Sequence, residues 1–163
     1  MGCDMTMRFE VKFEIDGEEE WRNRDYYQLN PFYDTDDTYW NRFKYEVKQV
    51  YEARDYELFA TLANVRNGGG ITPAICAPKG MPDDASDETF LDHKIMAEDN
   101  KAVHSLTYFT LGQLRRCRKK YPALHSLICA FDLRMREEFE MDEDEHDIYQ
   151  YDEDCRIIIW FDS

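Results

Sequence analysis

Three groups of residues have the types and spacing to do chemistry. His104 and Ser105 are adjacent, and an imidazole beside a hydroxyl is the minimum for general-base activation of an oxygen nucleophile. Asp4 stands next to Cys3 near the start of the chain, a carboxylate beside a thiol. Arg66-Asn67-Gly68-Gly69-Gly70, followed at a distance by Lys79, offers cations and glycine amides that can approach an anion closely. Together with His104, these residues form a candidate site for a small anionic or nucleotide ligand. None of the three groups completes a recognised motif. There is no nucleophile elbow, no H-E-x-x-H, no kinase-type set, no G-x-x-x-x-G-K-S/T and no G-x-G-x-x-G. The glycines follow an expected helix, whereas phosphate loops precede one. A His beside a Ser is more often a structural hydrogen-bonding pair, and a bend is the plainer reading of the glycines. The sequence therefore leans away from an enzyme, with no cofactor expected.

Charge points elsewhere. The 163-residue chain has a net charge of -15 and is rich in Tyr, Phe and Trp. Its aromatic content favours a folded domain over disorder. Its charge disfavours direct contact with nucleic acid and favours a partner with a basic surface. The acidic run Asp142, Glu143, Asp144, Glu145 and Asp147, continued by Asp152, Glu153 and Asp154, is the natural partner-binding candidate; plain solubility is the alternative. That run lacks the glycine and spacing of an EF-hand loop. Five cysteines without a C-x-x-C pair read as reduced thiols, and the four histidines lie far from any paired cysteines, so no metal is expected. No apolar run is long enough for a membrane helix, so a soluble, cytoplasmic protein is expected. Met1-Gly2-Cys3-Asp4-Met5-Thr6 fits the short M-G-x-x-x-S/T pattern for N-myristoylation. No polybasic stretch follows, and one acyl chain anchors only marginally.

The elements that must position these residues are legible in part. Met5 to Ile15 alternates apolar and polar residues, as a strand with one buried face does, and Asp16-Gly17 ends it in a turn. Glu18 to Trp40 has no period and reads as a long acidic and aromatic loop, a possible contact surface. Arg42 to Tyr51 is ambiguous, with a strand favoured. Asp55 caps a buried helix running to Arg66, and Gly68 is placed for the left-handed residue after it. Ile71 to Asn100 is loop-rich, with a helical turn starting on Ser86. Val103 to Leu111 alternates, Thr110 caps a helix, and the basic cluster Arg115, Arg116, Arg118, Lys119 and Lys120 suits its C-terminal end. Pro122 starts an amphipathic helix to about Glu140, and Arg156 to Phe161, apolar on both faces, predicts a central strand.

Several segments together resemble a protein family common in tailed-phage genomes. They are Met1-Gly2-Cys3-Asp4, Arg54 through Gly68, Pro78-Lys79-Gly80-Met81-Pro82-Asp83-Asp84, His104-Ser105 with Thr110-Leu111, and Arg156 through Asp162. The likeness spans nearly the whole chain and is most specific in the Arg54 segment. It departs at Thr6 and Leu106, where the family carries histidines, so any site those histidines serve in relatives is incomplete here. The resemblance implies phage origin and a cytoplasmic life in an infected bacterium.

The expected fold is a single α+β domain spanning residues 1–163. Its N- and C-terminal strands lie side by side in a small sheet, with about three helices packed on it. The expected function is an acidic, phage-encoded accessory protein that binds and inhibits a host protein. An anti-defence inhibitor, anti-CRISPR-like or mimicking nucleic acid, is the form it would take. The alternative is a binder or vestigial hydrolase for a small anionic ligand at the glycine-rich loop.

Overall fold

The computed structural model describes residues 2–34, 43–68, 70 and 73–163. Met1, Gly69, and Tyr39 and Trp40 of the aromatic segment lie outside the described residues. The alternating stretch forms β1 (Asp4–Ile15), which turns through Asp16 and Gly17, both at positive φ, into β2 (Glu18–Asn23). Positive φ at both central residues is the hairpin turn whose twist suits antiparallel strands. The C-terminal stretch forms β6 (Cys155–Asp162), paired with β1 on one side and with β5 (Val103–Thr110) on the other, after β3 (Tyr26–Leu29) and β4 (Tyr45–Lys48) have made a separate ribbon. The main sheet runs β2-β1-β6-β5, all antiparallel. N- and C-terminal strands are therefore neighbours, and β6 is central, as its two apolar faces require.

The helices are α1 (Tyr56–Ala63), α2 (Asp87–Asp99), α3 (Leu111–Cys117) and α4 (His125–Glu138), the last preceded by a 3-10 turn at Pro122–Leu124. The core lies on one sheet face. Met5, Met7, Phe9, Phe109, Ile157, Ile159 and Phe161 meet Leu58, Phe59 and Leu62 of α1, Leu114 of α3, and Leu127, Phe131 and Met135 of α4. Phe9 packs edge-on to Phe131, and Phe59 to Phe161.

Four expectations need correction. Glu18–Asn23 and Tyr26–Leu29 are strands and not loop: β2 has no apolar alternation of its own and takes its register from β1. α1 ends at Ala63, before Arg66, because Asn64 adopts the left-handed conformation (φ 58°) and its N–H bonds back to Ala60 O. The cap is therefore Asn64, a residue type that tolerates this region, and not Gly68. The turn expected on Ser86 is a full helix of 13 residues, one of four α-helices among the described residues. Finally, the polar residues of β1 do not all face solvent: Arg8 and Glu10 are buried beneath α2 and the loop before it.

β2 covers only the second half of β1. Along the first half, side chains stand in for a strand. Gln49 Oε1 accepts from Met7 N at 2.5 Å, Gln49 Nε2 donates to Met5 O, and the Asp25 carboxylate accepts from Phe9 N.

Candidate functional site

Among the described residues, those singled out for chemistry line none of the three concavities that stand out on the surface. His104 sits in β5 opposite Phe161; its Nδ1 lies 2.8 Å from Ser105 Oγ and its Nε2 3.2 Å from Ser163 Oγ. Ser105 has φ 56°, and the register of β5 on β6 shifts between His104 and Thr107. This is a bulge, a device that re-aims side chains. Asp4 forms an ion pair with Arg54 at 2.6 Å. Arg66, also at positive φ, donates to the carbonyl of Gly2 and hydrogen-bonds the Cys3 thiol. Asp4 and His104 belong to the same end of the sheet, since Asp4 and Val103 both register on Asp162. Cys3 is buried in the core cluster, and burial pushes its thiol pKa up, so an acyl chain there would displace the start of β1.

Asn67 and Gly68 follow α1, with Asn67 accepting at its carbonyl from Gly70 N. Lys79 lies against β5: its backbone N–H donates to Thr107 Oγ1, and its ammonium lies 4.1 Å from the Tyr108 ring centroid and 4.6 Å from that of Phe109. Burial holds its pKa below the ordinary lysine value. Three concavities stand out on the described surface, and none is lined by Arg66, Asn67, Gly68, Gly70, Lys79, His104 or Ser105.

The acidic run divides. Asp142, Glu143, Asp144, Glu145 and Asp147 are exposed. Asp142 and Glu143 line a concavity of about 360 Å³ at the end of α4 with Leu133, Glu137 and Glu140. Asp152, Glu153 and Asp154 are committed within the molecule. Asp152 pairs with Arg115 at 2.9 Å, Glu153 with Arg116 at 2.9 Å, and Asp154 with Lys12 at 3.4 Å. The basic cluster thus holds the acidic segment against α3.

A larger concavity, about 430 Å³, lies between β2 and the N-terminus of α2. Glu19, Glu20, Asp84, Asp87 and Glu88 line it, against a single cation, Arg22, with Trp21, Asn23 and Ser86 between them. Its two walls come from segments more than sixty residues apart in sequence, and a buried ion pair joins them. Glu10 of β1 is 0 % exposed and Arg156 of β6 is 4 % exposed. Arg156 donates to Glu10 Oε1 from Nε at 3.0 Å and from Nη2 at 2.8 Å. It also donates to Asp84 Oδ1 at 2.8 Å, and its guanidinium lies 3.9 Å from the Trp21 ring centroid. The second oxygen of Glu10 accepts from Ser86 N, and Ser86 caps α2 through Thr89 N. The strands, the loop and the helix start are therefore locked together, and carboxylates crowd the rim. Like charges face each other even within the hairpin, where Glu14 is registered on Glu19. Such pairing costs stability and is found where charge itself has a use, or where solvent screens it.

Glu18-Glu19-Glu20 falls in the segment whose lack of period predicts a loop, and Asp87-Glu88 in the helical turn expected on Ser86. Nothing in their spacing brings them together; the link is the Glu10–Arg156 pair. No helix among the described residues is long and apolar enough to cross a membrane, and no cluster of metal-ligating side chains occurs among them. No protein-family model matches the chain, and neither a curated protein nor a solved structure matches it.

Proposed function

We propose that this is an acidic binding protein that docks on, and blocks, a basic surface of a partner protein. The observation that carries the reading is the rim of five carboxylates around the groove between β2 and α2, fixed from below by Glu10, Arg156 and Trp21. Glu19 and Glu20 make only long surface pairs with Lys12 and Arg22, at 3.7 and 3.4 Å, while Asp84 is held by Arg156 and Glu88 by the Tyr27 hydroxyl. The excess of carboxylate over cation at this rim favours fast, salt-sensitive association with a basic surface. A surface of this charge offers a basic partner what a phosphate backbone otherwise would. Taken with the resemblance to tailed-phage proteins, this suggests an inhibitor of a host nucleic-acid-handling protein, acting in the cytoplasm of the infected bacterium. The exposed acids Asp142 to Asp147 form a second, smaller contact. The anionic-ligand alternative has less support, because its described residues line none of these three concavities.

The test is a pull-down from bacterial extract at low and high salt, with double-stranded DNA added as competitor. A specific complex that weakens steeply with salt and yields to DNA supports the reading. A complex indifferent to both would overturn it.

A further inference from the structure

The helix α2 turns no apolar stripe toward its own domain. Thr89, Asp92, His93, Met96 and Ala97 recur at three- and four-residue steps and are its more covered positions. They meet the charged face of the sheet. Arg8 pairs with Asp92 at 2.9 Å, the His93 ring stands edge-on to Trp160, and Asn23 reaches Thr89. Only Thr89 of the 13 residues is buried. Phe90, Leu91 and Ile95 are left outside at 50 %, 50 % and 56 % exposure. A surface helix ordinarily turns such residues inward. Beneath α2 the indole N–H of Trp160 is buried with no hydrogen-bond partner among the described residues, so the seat is imperfect too. Beside it, the Tyr27 hydroxyl donates to Glu88, and Tyr27 shares a ribbon face with Leu29 and its cross-strand partner Tyr45, all exposed.

We infer that the outer face of α2, together with the groove at its N-terminus, receives a basic amphipathic helix of the partner protein. The partner's apolar stripe packs on Leu91 and Ile95, neighbours one turn apart on the helix, with Phe90 at the flank, and its lysines and arginines enter the rim of Glu20, Asp87 and Glu88. Charge decides the occupant. The apolar strip lies among Asp87, Glu88, Glu98 and Asp99, with Lys94 as the one lysine on the helix. A second copy of a chain with net charge -15 would bring the same carboxylates together. An anionic lipid surface would be repelled. A basic rim around an apolar centre complements both parts. At 1.5 Å per residue α2 offers about 20 Å of ridge, enough for roughly four turns of a docked helix.

This inference rests on the proposed binding of a basic partner, and two probes separate the two. One is a synthetic amphipathic helical peptide of leucine and lysine; the other is an all-lysine peptide of equal charge. Binding to the full chain is followed by calorimetry and by backbone amide NMR shifts. The amphipathic peptide should bind at least tenfold more tightly than the all-lysine one, with shifts centred on α2 and the groove. The double variant Leu91→Ser with Ile95→Ser should reduce it to the all-lysine level while leaving all-lysine binding unchanged, which also reports an intact fold. Equal affinity of the two peptides, or an unaffected double variant, overturns the inference but leaves the acidic-surface reading standing. Failure of both peptides to bind at low salt removes both. Sedimentation showing a dimer that the double variant abolishes would make a second copy the occupant, and would also overturn it.

Discussion

Arg156→Met tests whether the groove is held by the buried ion pair. Met preserves most of the side-chain volume, so the loss is chiefly electrostatic and not a cavity. Four donor contacts disappear, two to Glu10 and two to Asp84, and Glu10 at 0 % exposure is left ionised without a cation. Breaking a buried pair by removing one partner costs about 3–5 kcal/mol, most of it the stranded charge. Total stability for such a domain is about 5–15 kcal/mol, so the variant should fold but unfold at visibly lower denaturant. Glu10→Gln should cost less, since the amide oxygen still accepts from Ser86 N or Arg156 and Asp84 still partners Arg156. The double variant should then recover on the order of 2 kcal/mol relative to the sum of the singles. Urea unfolding read by tryptophan fluorescence measures all three, with Trp21, stacked on Arg156, as a local reporter. A loss below about 1 kcal/mol for Arg156→Met, or strictly additive single effects, would refute the assigned role of the pair.

Asp25 supplies a pH signature. Burial pushes its carboxyl up to about 6, against the opposing hydrogen bond from Phe9 N. The folded value exceeds the unfolded one, so this group's contribution is greatest below about pH 4 and is lost as pH rises through about 6, by up to roughly 3 kcal/mol. Asp25→Asn should remove that component, so that the variant gains on wild type between pH 4 and pH 7 in thermal unfolding; parallel curves would count against it. Thr110→Ala deletes the hydroxyl half of the capping box, the bond from Gln113 N, while the backbone N–H of residue 110 still donates to Gln113 Oε1, and should cost about 1 kcal/mol in the same assay. Among the thiols, Cys129 is exposed with Sγ 3.7 Å from His125 Nε2, whereas Cys3 and Cys155 are buried with raised pKa values. Ellman's reagent should therefore modify Cys129 early and Cys3 and Cys155 only on unfolding, which mass mapping of the labelled chain would show.

The strands β1 and β6 were legible because one buried face or two leave a period that sequence displays directly. The caps Asp55, Ser86 and Thr110 were legible for a similar reason: each is a local contract between a side chain and an amide three residues on. What escaped was decided at long range. β2 carries Glu18-Glu19-Glu20 and is a strand only because β1 offers it a ladder. α2 lacks an inward apolar stripe, so its period was invisible and only its start could be read. The groove escaped entirely, since its walls meet through Glu10 and Arg156, 146 positions apart. Alternation places Glu10 on the solvent side of β1, and only the loop that folds over it makes it buried.

Gln49 and Asp25, which occupy the open half of β1, constrain how the protein can associate. Strand addition needs a row of unpaired N–H and C=O groups, and here Met5 O, both groups of Met7 and both of Phe9 are already taken by side chains and by Arg24 N. The outer edge of β2 carries three consecutive glutamates, which repel a second copy of themselves. At the other side of the sheet, the bulge at Ser105 interrupts β5, and Gly80 N takes the carbonyl of Leu106. Each border of the sheet is thus closed by a different means: amide mimicry, charge, and a break in register. A partner of the main sheet must therefore engage it through side chains and helix faces, not by lengthening it.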